Sequence, residues 1–384
     1  MTSLDVCREN FQREFGRGLD CAFRAPGRVN LIGGHVDYNE GWVLPIAIDR
    51  CCYVLARRRG DRTLRMHSEQ FGETVDRKLE GPEEVHHWSN YVRGVAWALA
   101  AAGLALCGAD LWISSEVPPG SGLSSSAALE VSAALALLHL SGRAMDRLAL
   151  ARACQRSENE YVGMRCGIMD QLAALFGRQG HALLIDCRTL GVEPVPLDES
   201  QVRVVVANTM VKHALASSEY NARRRECEEA VVRIRERRPH VRALRDVTWK
   251  EIESEAGEWP ENIRSRARHI TTEIRRVHAA VAWMRQDNFH EMGRLMLESH
   301  ASLAADYQVV SAEQDHMVAL ARELPGFYGA RMTGGGFGGC TVNLVHAGEA
   351  ENFRAELARR YQQATGLRPD VYVCRAAEGA GEVL

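Results

Sequence analysis

The amino-acid sequence predicts an α+β protein of two domains, and three observations support this. Short apolar strands alternate with helices up to about residue 190. Long charged helices follow, and strands return only near the C-terminus. The chain has 384 residues, 46% of them hydrophobic, which is enough for two cores of ordinary size. Prolines and polar residues interrupt both periodicities in residues 192–200, so we expect an N-terminal domain of residues 1–195 and a C-terminal domain of residues 196–384.

Hydrophobic periodicity predicts the elements of the N-terminal half. The expected strands are residues 42–48, 51–57, 111–115 and 181–186, and the expected helices are residues 89–102 and 124–140. The second helix begins at three serines, whose hydroxyl groups we expect to cap it. Because an Ala/Leu-rich run follows, this helix should be buried on most sides.

The C-terminal half has a different pattern. A strand over residues 202–208 is followed by charged helices, and two strands come late; these elements are the helices 217–237, 260–286 and 291–303 and the strands 340–345 and 370–373. The sequence contains no internal repeat and no low-complexity segment.

Charge and cysteine usage exclude several function classes. The net charge is −3 and the isoelectric point is near 6.5, which gives no reason to expect nucleic acid or an acidic membrane surface as a partner. No apolar run approaches the roughly 20 residues that span a bilayer. The eleven cysteines include no Cys-x-x-Cys pair, and the N-terminus has no apolar signal core. We therefore expect a cytoplasmic protein, and we expect it to be a monomer.

Residues 26–38 combine a cation, a carboxylate, an imidazole and a phenol with three glycines, directly after a short apolar strand. Burying Arg28, Asn30, His35 and Asp37 side by side is tolerable only if a ligand or partner residues satisfy their polar atoms. This segment therefore predicts a binding site.

Residues 118–128 join a predicted strand to the serine-capped helix and contain two glycines and four serines, three of them consecutive. Backbone N–H groups can converge on an anion in such a loop, and a helix N-terminus adds about half a positive charge. A Gly/Ser-rich turn is more often only a turn, but the strong helix that follows favours phosphate binding. No glycine-rich loop ends in Gly-Lys-Ser/Thr, and only three of the 47 basic residues are lysine, so a P-loop is excluded.

These two segments, together with the glycine-rich residues 331–340, resemble the galactokinases, members of the kinase superfamily that phosphorylates galactose, homoserine, mevalonate and phosphomevalonate. The similarity also reaches residues 167–171 and 217–220 and so spans essentially the whole chain. The resemblance implies the two-lobed GHMP-kinase fold. In that fold an N-terminal mixed sheet with helices and C-terminal helices on an antiparallel sheet enclose an active site between the lobes.

The resemblance implies ATP-dependent phosphorylation of the anomeric hydroxyl of galactose, the first committed step of galactose metabolism. Asp170 would accept the hydroxyl proton as general base, while Arg28 keeps it ionised and steadies the developing charge. By itself, Asp170 would more often be a helix cap. The residues implied to bind the sugar are Gly34, His35, Asp37, Gly167, Asp170 and Tyr220. Without the resemblance, His35 would be structural and Tyr220 a helix-face aromatic.

The resemblance also implies ATP and Mg²⁺ as cofactors. The implied nucleotide-binding residues are Trp88, Gly120, Gly122, Leu123, Ser124, Ser125, Ser126 and Ala127, with Trp88 at the adenine. Ser126 and Glu158 would bind the metal, which takes oxygen ligands and few of them from the protein. Alone, Trp88 fits a half-buried core position equally well, and Glu158 would be a surface carboxylate.

Gly34 is the one departure from the family pattern, which usually has Glu at this position. We weigh three consequences and favour the first: weaker but intact galactose binding with water in the vacated space, preference for a sugar that is bulkier or anionic at C6, or a low-activity variant. A substitute carboxylate from Glu40 is not favoured.

Two alternative functions stay open. One is a related kinase for galacturonate or an amino sugar. The other is a galactokinase-like sensor without catalytic activity, which the presence of Ser126, Ala127, Asp170 and Arg28 disfavours.

Overall fold

The structure is a computed structural model that describes residues 4–80, 87–212 and 216–384. The helices are α1 (Leu4–Phe15), α2 (Ser89–Ala101), α3 (Ser125–Leu140), α4 (Arg147–Arg156), α5 (Met169–Phe176), α6 (Ala216–Arg237), α7 (Trp249–Ala256), α8 (Glu261–Met284), α9 (Phe289–Ser302), α10 (Ala312–Arg322) and α11 (Ala350–Thr365). The strands are β1 (Cys21–Asn30), β2 (Trp42–Val43), β3 (Pro45–Arg59), β4 (Thr63–Ser68), β5 (Glu73–Lys78), β6 (Gly108–Ser115), β7 (His181–Asp186), β8 (Val192–Pro196), β9 (Val202–Lys212), β10 (Phe327–Met332), β11 (Gly338–His346), β12 (Asp370–Cys374) and β13 (Gly381–Glu382). Within these described ranges, none of the helices is long and apolar enough to cross a membrane.

The N-terminal part is built on a six-stranded mixed sheet in the order β13-β1-β3-β6-β4-β5. Only β4 and β6 run parallel; the other neighbours are antiparallel. Helix α3 packs across β1 and β3, and a smaller sheet is formed by β2, β7 and β8. The predicted mixed sheet with helices is confirmed.

The C-terminal part contains a four-stranded antiparallel sheet in the order β10-β11-β9-β12. Helices α9, α10 and α11 pack on this sheet, and α8 lies between α6 and α9. The predicted helices on an antiparallel sheet are confirmed. Strand β13 returns to the N-terminal sheet and pairs with β1, and the domain boundary at residue 195 stays a prediction.

Most predicted elements agree with the structure to within a few residues, and β7 coincides with its prediction. The division into strands 42–48 and 51–57 was wrong, because β3 continues from Pro45 to Arg59. Asp49 and Arg50 interrupt the apolar run, and Asp49 is exposed. The ladder with β1 and β6 nevertheless holds the backbone extended on both sides of them.

Helix α3 is buried on most sides, as predicted. The expected serine cap was wrong. Ser124 is the N-cap residue, but its φ of 60° is left-handed and its side chain makes no capping hydrogen bond. The hydroxyl instead donates to Oδ2 of Asp170 at 2.5 Å. The first turn of α3 therefore keeps free N–H groups of the kind that bind an anion.

Candidate active site

A cleft of about 440 Å³ brings together the segments singled out in the sequence. The predicted residues that line it are Arg28, Gly34, His35, Asp37, Gly120, Gly122, Ser124, Ser125, Ser126, Glu158, Gly167, Asp170 and Tyr220. Residues 334–339 of the glycine-rich segment also line it. Both halves of the chain therefore contribute to one site.

Arg28 and Asp170 form a bidentate ion pair in this cleft. Nε and Nη2 of Arg28 each donate to one carboxylate oxygen at 2.8 Å, and Nη1 donates to the carbonyl oxygen of Gly122 at 2.6 Å. Arg28 is 5% exposed at the end of β1, whereas Asp170 lies in the first turn of α5. A carboxylate at a helix N-terminus is also favoured by the helix dipole. The pair sits beside the predicted phosphate loop.

Asp37 lies against the backbone of Gly167. A Cβ atom at residue 167 would stand 1.9 Å from Oδ2 of Asp37, so the close approach requires glycine. Burial raises the pKa of Asp37 to about 6, and the charge of Asp170 adds to the rise. The side chain faces the cleft, where sugar hydroxyls could donate to it.

His35 lines the cleft and belongs to an aromatic cluster. Its Nδ1 lies 2.8 Å from the hydroxyl of Tyr38, which is 2.7 Å from the hydroxyl of Tyr307. The ring of Tyr220 lies 5.3 Å from the His35 ring, measured between centroids. Burial lowers the pKa of His35 to about 3, so the imidazole is neutral.

Helix α8 holds the backbone of the Gly33-Gly34 turn. Oε1 of Glu273 accepts hydrogen bonds from the N–H groups of Gly33 at 2.9 Å and Gly34 at 3.1 Å. Nε2 of His269 donates to the carbonyl oxygen of Gly34 at 3.0 Å. Sequence reasoning missed both residues. The available signal was their spacing of four, which places two polar groups on one buried face of the helix.

Arg331 stands where a side chain at residue 34 would begin. A Cβ atom at Gly34 would lie 2.3 Å from Nη2 of Arg331. The water-filled space expected beside Gly34 is therefore occupied by a guanidinium group. Glu40 does not approach it, because its carboxylate pairs with Arg188. The segment containing Arg331 was recognised in the sequence, but this role was missed.

The nucleotide side of the cleft contains the predicted metal ligands. Oγ of Ser126 donates to Oε1 of Glu158 at 3.0 Å, and Nε2 of Gln171 donates to Oε2 at 2.9 Å. Burial, together with the charge of Asp170, raises the pKa of Glu158 to about 7. In the part of the chain that the structure describes, no group of three His, Cys, Asp or Glu side chains is placed to hold a metal. Two oxygen donors nevertheless fit Mg²⁺, which keeps waters and binds phosphates.

A second cavity of about 140 Å³ adjoins the phosphate loop. Trp88 lines it, with its ring nearly parallel to Phe71 at 6.1 Å between centroids and its Nε1 donating to Glu73 at 2.9 Å. Four residues line both cavities: Tyr91, Gly120, Ser125 and Ser126. The loop thus lies between an aromatic pocket and the cleft.

Leu123 and Ala127 do not line either cavity, because both side chains are fully buried in the core. Their assignment as nucleotide-binding residues, which can involve the backbone alone, stays a prediction. The backbone of Leu123 has another role, since its carbonyl oxygen accepts a hydrogen bond from the N–H of Arg28 at 3.1 Å.

Asn30, one of the polar residues that predicted the binding site, also lines the cleft. Several other cleft residues were not predicted as site residues: Tyr91, Met164, Cys166, Met169, Arg331 and Thr333. Those adjacent to a recognised motif could have been found from their position. Tyr91 could not, since an aromatic on a helix is ordinarily a core residue.

Comparison with known proteins agrees with this geometry. The model of the GHMP kinases N terminal domain matches residues 90–178, the galactokinase galactose-binding signature matches residues 9–58, and the GHMP kinases C terminal model matches residues 280–363. A galactokinase from Roseiflexus sp. (strain RS-1) is 48% identical, with 100% of this chain and 98% of that protein covered. The human galactokinase is 41% identical, with 98% and 96% covered.

Solved structures show the same similarity. Lactococcus lactis galactokinase in complex with galactose aligns with a TM-score of 0.93 at 36% identity, covering 99% of this chain and 100% of that one. The mevalonate kinase of Methanococcus jannaschii aligns with a TM-score of 0.65 at 16% identity, covering 94% and 100%. The latter likeness is one of fold alone.

Proposed function

The chain belongs to the galactokinase family, and from this membership we propose that it transfers the terminal phosphoryl group of ATP to the anomeric hydroxyl of galactose, giving α-D-galactose 1-phosphate. The observation that carries the proposal is the ion pair between Arg28 and Asp170 beside the loop that begins α3. Phosphoryl transfer needs an aligned hydroxyl, an acceptor for its proton and neutralisation of the developing charge. This corner of the cleft has groups suited to all three.

Asp170 takes the proton of the anomeric hydroxyl. Its carboxylate is oriented by two donors from Arg28 and one from Ser124, so it is held ready for the acceptor. Arg28 also donates to the carbonyl oxygen of Gly122, which fixes the guanidinium against the phosphate loop. When the hydroxyl attacks, the guanidinium can stabilise the charge that develops on the transferring oxygens.

Asp37, His35, Tyr220 and the backbone of Gly167 bind the sugar hydroxyls. Asp37 accepts hydrogen bonds from them, and a carboxylate in a pocket discriminates between epimers because a misplaced hydroxyl leaves the charge unpaired. The neutral His35 ring, held by Tyr38, is available as a polar contact of fixed orientation.

The pocket lined by Trp88 would hold the base of ATP, and Gly120, Gly122 and the N-terminus of α3 would bind its phosphates. Ser126 and Glu158 would hold Mg²⁺, which would neutralise phosphate charge. The free state of all eleven cysteines agrees with a reducing compartment, and we place the enzyme in the cytoplasm.

The proposal is tested by incubating the purified chain with ATP, Mg²⁺ and galactose and following the phosphorus spectrum. We expect a sugar 1-phosphate to form in step with ADP. Asp170→Asn serves as the matched control, since it keeps the shape of the side chain. Absence of turnover at millimolar galactose would refute the proposal, and sugar binding without ADP formation would favour the sensor function instead.

A further inference from the structure

We propose that Arg331 forms an anion-binding subsite in the sugar cleft, and that the enzyme accepts hexoses oxidised to a carboxylate at C6, the hexuronates, in addition to galactose. This inference rests on the proposed function, because it takes the reacting hydroxyl to lie at Asp170. It assigns a substrate class to a part of the cleft that has no role in the scheme above.

The Arg331 side chain is buried, and its hydrogen bonds are only partly satisfied. Arg331 is 1% exposed, yet it lines the cleft. Nη1 donates to the carbonyl oxygen of Asn30 at 3.2 Å, whereas Nε is buried and has no hydrogen-bond partner. Nη2 points toward the backbone of Gly34. A buried donor that lacks a partner is costly and requires an explanation.

Arg331 also lacks a direct counter-ion. Across the described residues, no carboxylate oxygen lies within 4.0 Å of its guanidinium nitrogens. Other buried arginines are paired: Arg28 with Asp170, and Arg266 with Glu226 at 2.7 Å. Burial lowers the pKa of Arg331 to about 10, offset in part by the charge of Glu273, so the group is cationic at neutral pH.

Glu273 cannot serve as the missing partner. Its Oε1 accepts from the N–H groups of Gly33 and Gly34 and from the hydroxyl of Ser299 at 2.6 Å. Its Oε2 pairs with Arg276 at 2.7 Å. The carboxylate is thus fully engaged with groups other than Arg331. A ligand carboxylate would supply the counter-ion that Arg331 lacks in the protein.

Sugar chemistry identifies where that carboxylate must be. The anomeric hydroxyl is placed at Asp170. Of the other carbons of a hexopyranose, the exocyclic C6 is the one that can be oxidised to a carboxylate without opening the ring. Two arginines line the cleft, and Arg28 is already paired with both oxygens of Asp170, so Arg331 is the guanidinium left to pair with a ligand carboxylate. The planar guanidinium fork matches a carboxylate with two parallel hydrogen bonds. Galactose, in contrast, offers Arg331 one neutral hydroxyl oxygen.

The absence of a side chain at residue 34 makes this subsite available. A carboxylate at that position would lie beside Arg331 and neutralise it, and would repel a charged sugar. Glycine leaves the guanidinium free to face the ligand. The same feature that removes one contact to galactose therefore admits an anionic relative.

The test compares galactose with galacturonate as acceptors, using product formation and calorimetric binding without nucleotide. We expect both sugars to bind and both to be phosphorylated at C1. Gly34→Glu should lower the ratio of kcat/KM for galacturonate to that for galactose by about 10- to 100-fold, because it supplies an internal partner and a repelling charge. Arg331→Lys, which keeps the charge but loses the fork, should lower the ratio less.

Arg266→Lys is the matched control, since it alters a paired buried arginine outside the cleft and should leave the ratio unchanged. Turnover of galactose reports that each variant is folded. Phosphorylation of galactose without any binding of galacturonate at millimolar concentrations would overturn this inference and leave the proposed function standing. An unchanged ratio in Gly34→Glu would also overturn it, as would an effect of Arg331→Lys on the KM for ATP alone. If galactose is not phosphorylated, the proposed function fails, and calorimetric binding of galacturonate still decides the inference.

Discussion

The backbones of Gly122 and Gly334 meet so closely that a Cβ atom at Gly334 would lie 2.8 Å from the Cα atom of Gly122. Both glycines have a φ of +82°. A second contact of this kind lies nearby, where a Cβ atom at Gly339 would stand 2.8 Å from the carbonyl oxygen of Ser121. The phosphate loop and the glycine-rich segment of the C-terminal half are therefore in direct backbone contact where both line the cleft.

Substitution of Gly334 by alanine should separate the two backbones. The left-handed backbone costs about 1–2 kcal/mol for a residue with a side chain, and the added methyl group must push the two loops apart. We expect a lower free energy of unfolding and a KM for ATP that rises about tenfold or more. Chemical unfolding and steady-state kinetics measure the two effects separately.

Gly142→Ala is the control for this prediction. Gly142 also has a positive φ, of +61°, but a Cβ atom there would meet nothing within 4 Å. It should lose stability by a similar amount and keep its KM for ATP. If Gly334→Ala keeps its KM for ATP as well, the contact between Gly122 and Gly334 does not shape the nucleotide site.

Replacing Asp170 by asparagine should remove most of the turnover. The amide keeps the shape of the side chain but cannot take the hydroxyl proton, and general-base catalysis contributes about 10²- to 10⁴-fold. Binding of galactose, measured by calorimetry, should change far less than kcat. Asp186→Asn is the control, because Asp186 also pairs with an arginine, Arg245, but lies outside the cleft. Equal losses in kcat for the two variants would contradict the role of Asp170.

The elements of the fold follow largely from local patterns, whereas the site does not. A continuous apolar run locates α3, because this helix is buried on most sides, and β7 is located by the short apolar run at its centre. The ion pair between Arg28 and Asp170 spans 142 positions, so the role of Asp170 and its pairing with Arg28 were found only through the resemblance to a family. The Ser124 hydroxyl was assigned to the helix cap because local bonding is the ordinary outcome. It donates instead to Asp170, which lies far away in the sequence.

Removal of the Ser126 hydroxyl should weaken the binding of Mg²⁺. Ser126→Ala leaves Glu158 as the only protein donor of the proposed site, and we expect the half-maximal Mg²⁺ concentration to rise about tenfold, the effect of one lost charge-assisted contact. Kinetics at varied Mg²⁺ and Mg²⁺-dependent binding of nucleotide both measure this. Ser132→Ala is the control on the same helix, since that hydroxyl donates to the carbonyl oxygen of Ala128. An identical shift in both variants would count against the site.

Affinity for galactose should fall as the pH decreases through about 6, because the pKa of Asp37 is raised to that value by burial and by Asp170. Only the ionised carboxylate accepts hydrogen bonds with both oxygens, so KM should rise about tenfold per pH unit well below the pKa. Asp37→Asn should bind weakly at every pH and lose this profile. A profile of the same shape in the variant would assign it to another group.

The raised pKa of Asp37 also affects the stability of the fold, and this effect has the opposite dependence on pH. Because the folded pKa of Asp37 lies above the unfolded value, the folded state holds the proton more tightly. The stability contributed by Asp37 is present at pH values below the unfolded pKa and is lost as the pH rises through about 6. Asp37→Asn should therefore stabilise the protein at neutral pH, as measured by urea unfolding, and an unchanged midpoint would contradict the buried ionisation.

Glu273 should be among the most sensitive positions for stability although it touches no substrate in the proposed scheme. Its carboxylate is fully buried, accepts from Gly33, Gly34 and Ser299, and pairs with Arg276. Burial alone would raise the pKa of Glu273, but the charge of Arg276 brings it well below its ordinary value. The stability contributed by this group is therefore present above the unfolded pKa and lost as the pH falls through the folded one.

Glu273→Gln should lower the free energy of unfolding by about 3–5 kcal/mol, because it breaks an ion pair whose carboxylate is fully buried and leaves the partly buried Arg276 without its partner. It should also raise the KM for galactose, since the Gly33-Gly34 turn loses its acceptor. Glu291→Gln is the control: Glu291 forms a solvent-exposed pair with Arg294, which contributes about 1 kcal/mol or less. Equal unfolding midpoints for the two variants would show that α8 does not hold the sugar-binding turn through this carboxylate.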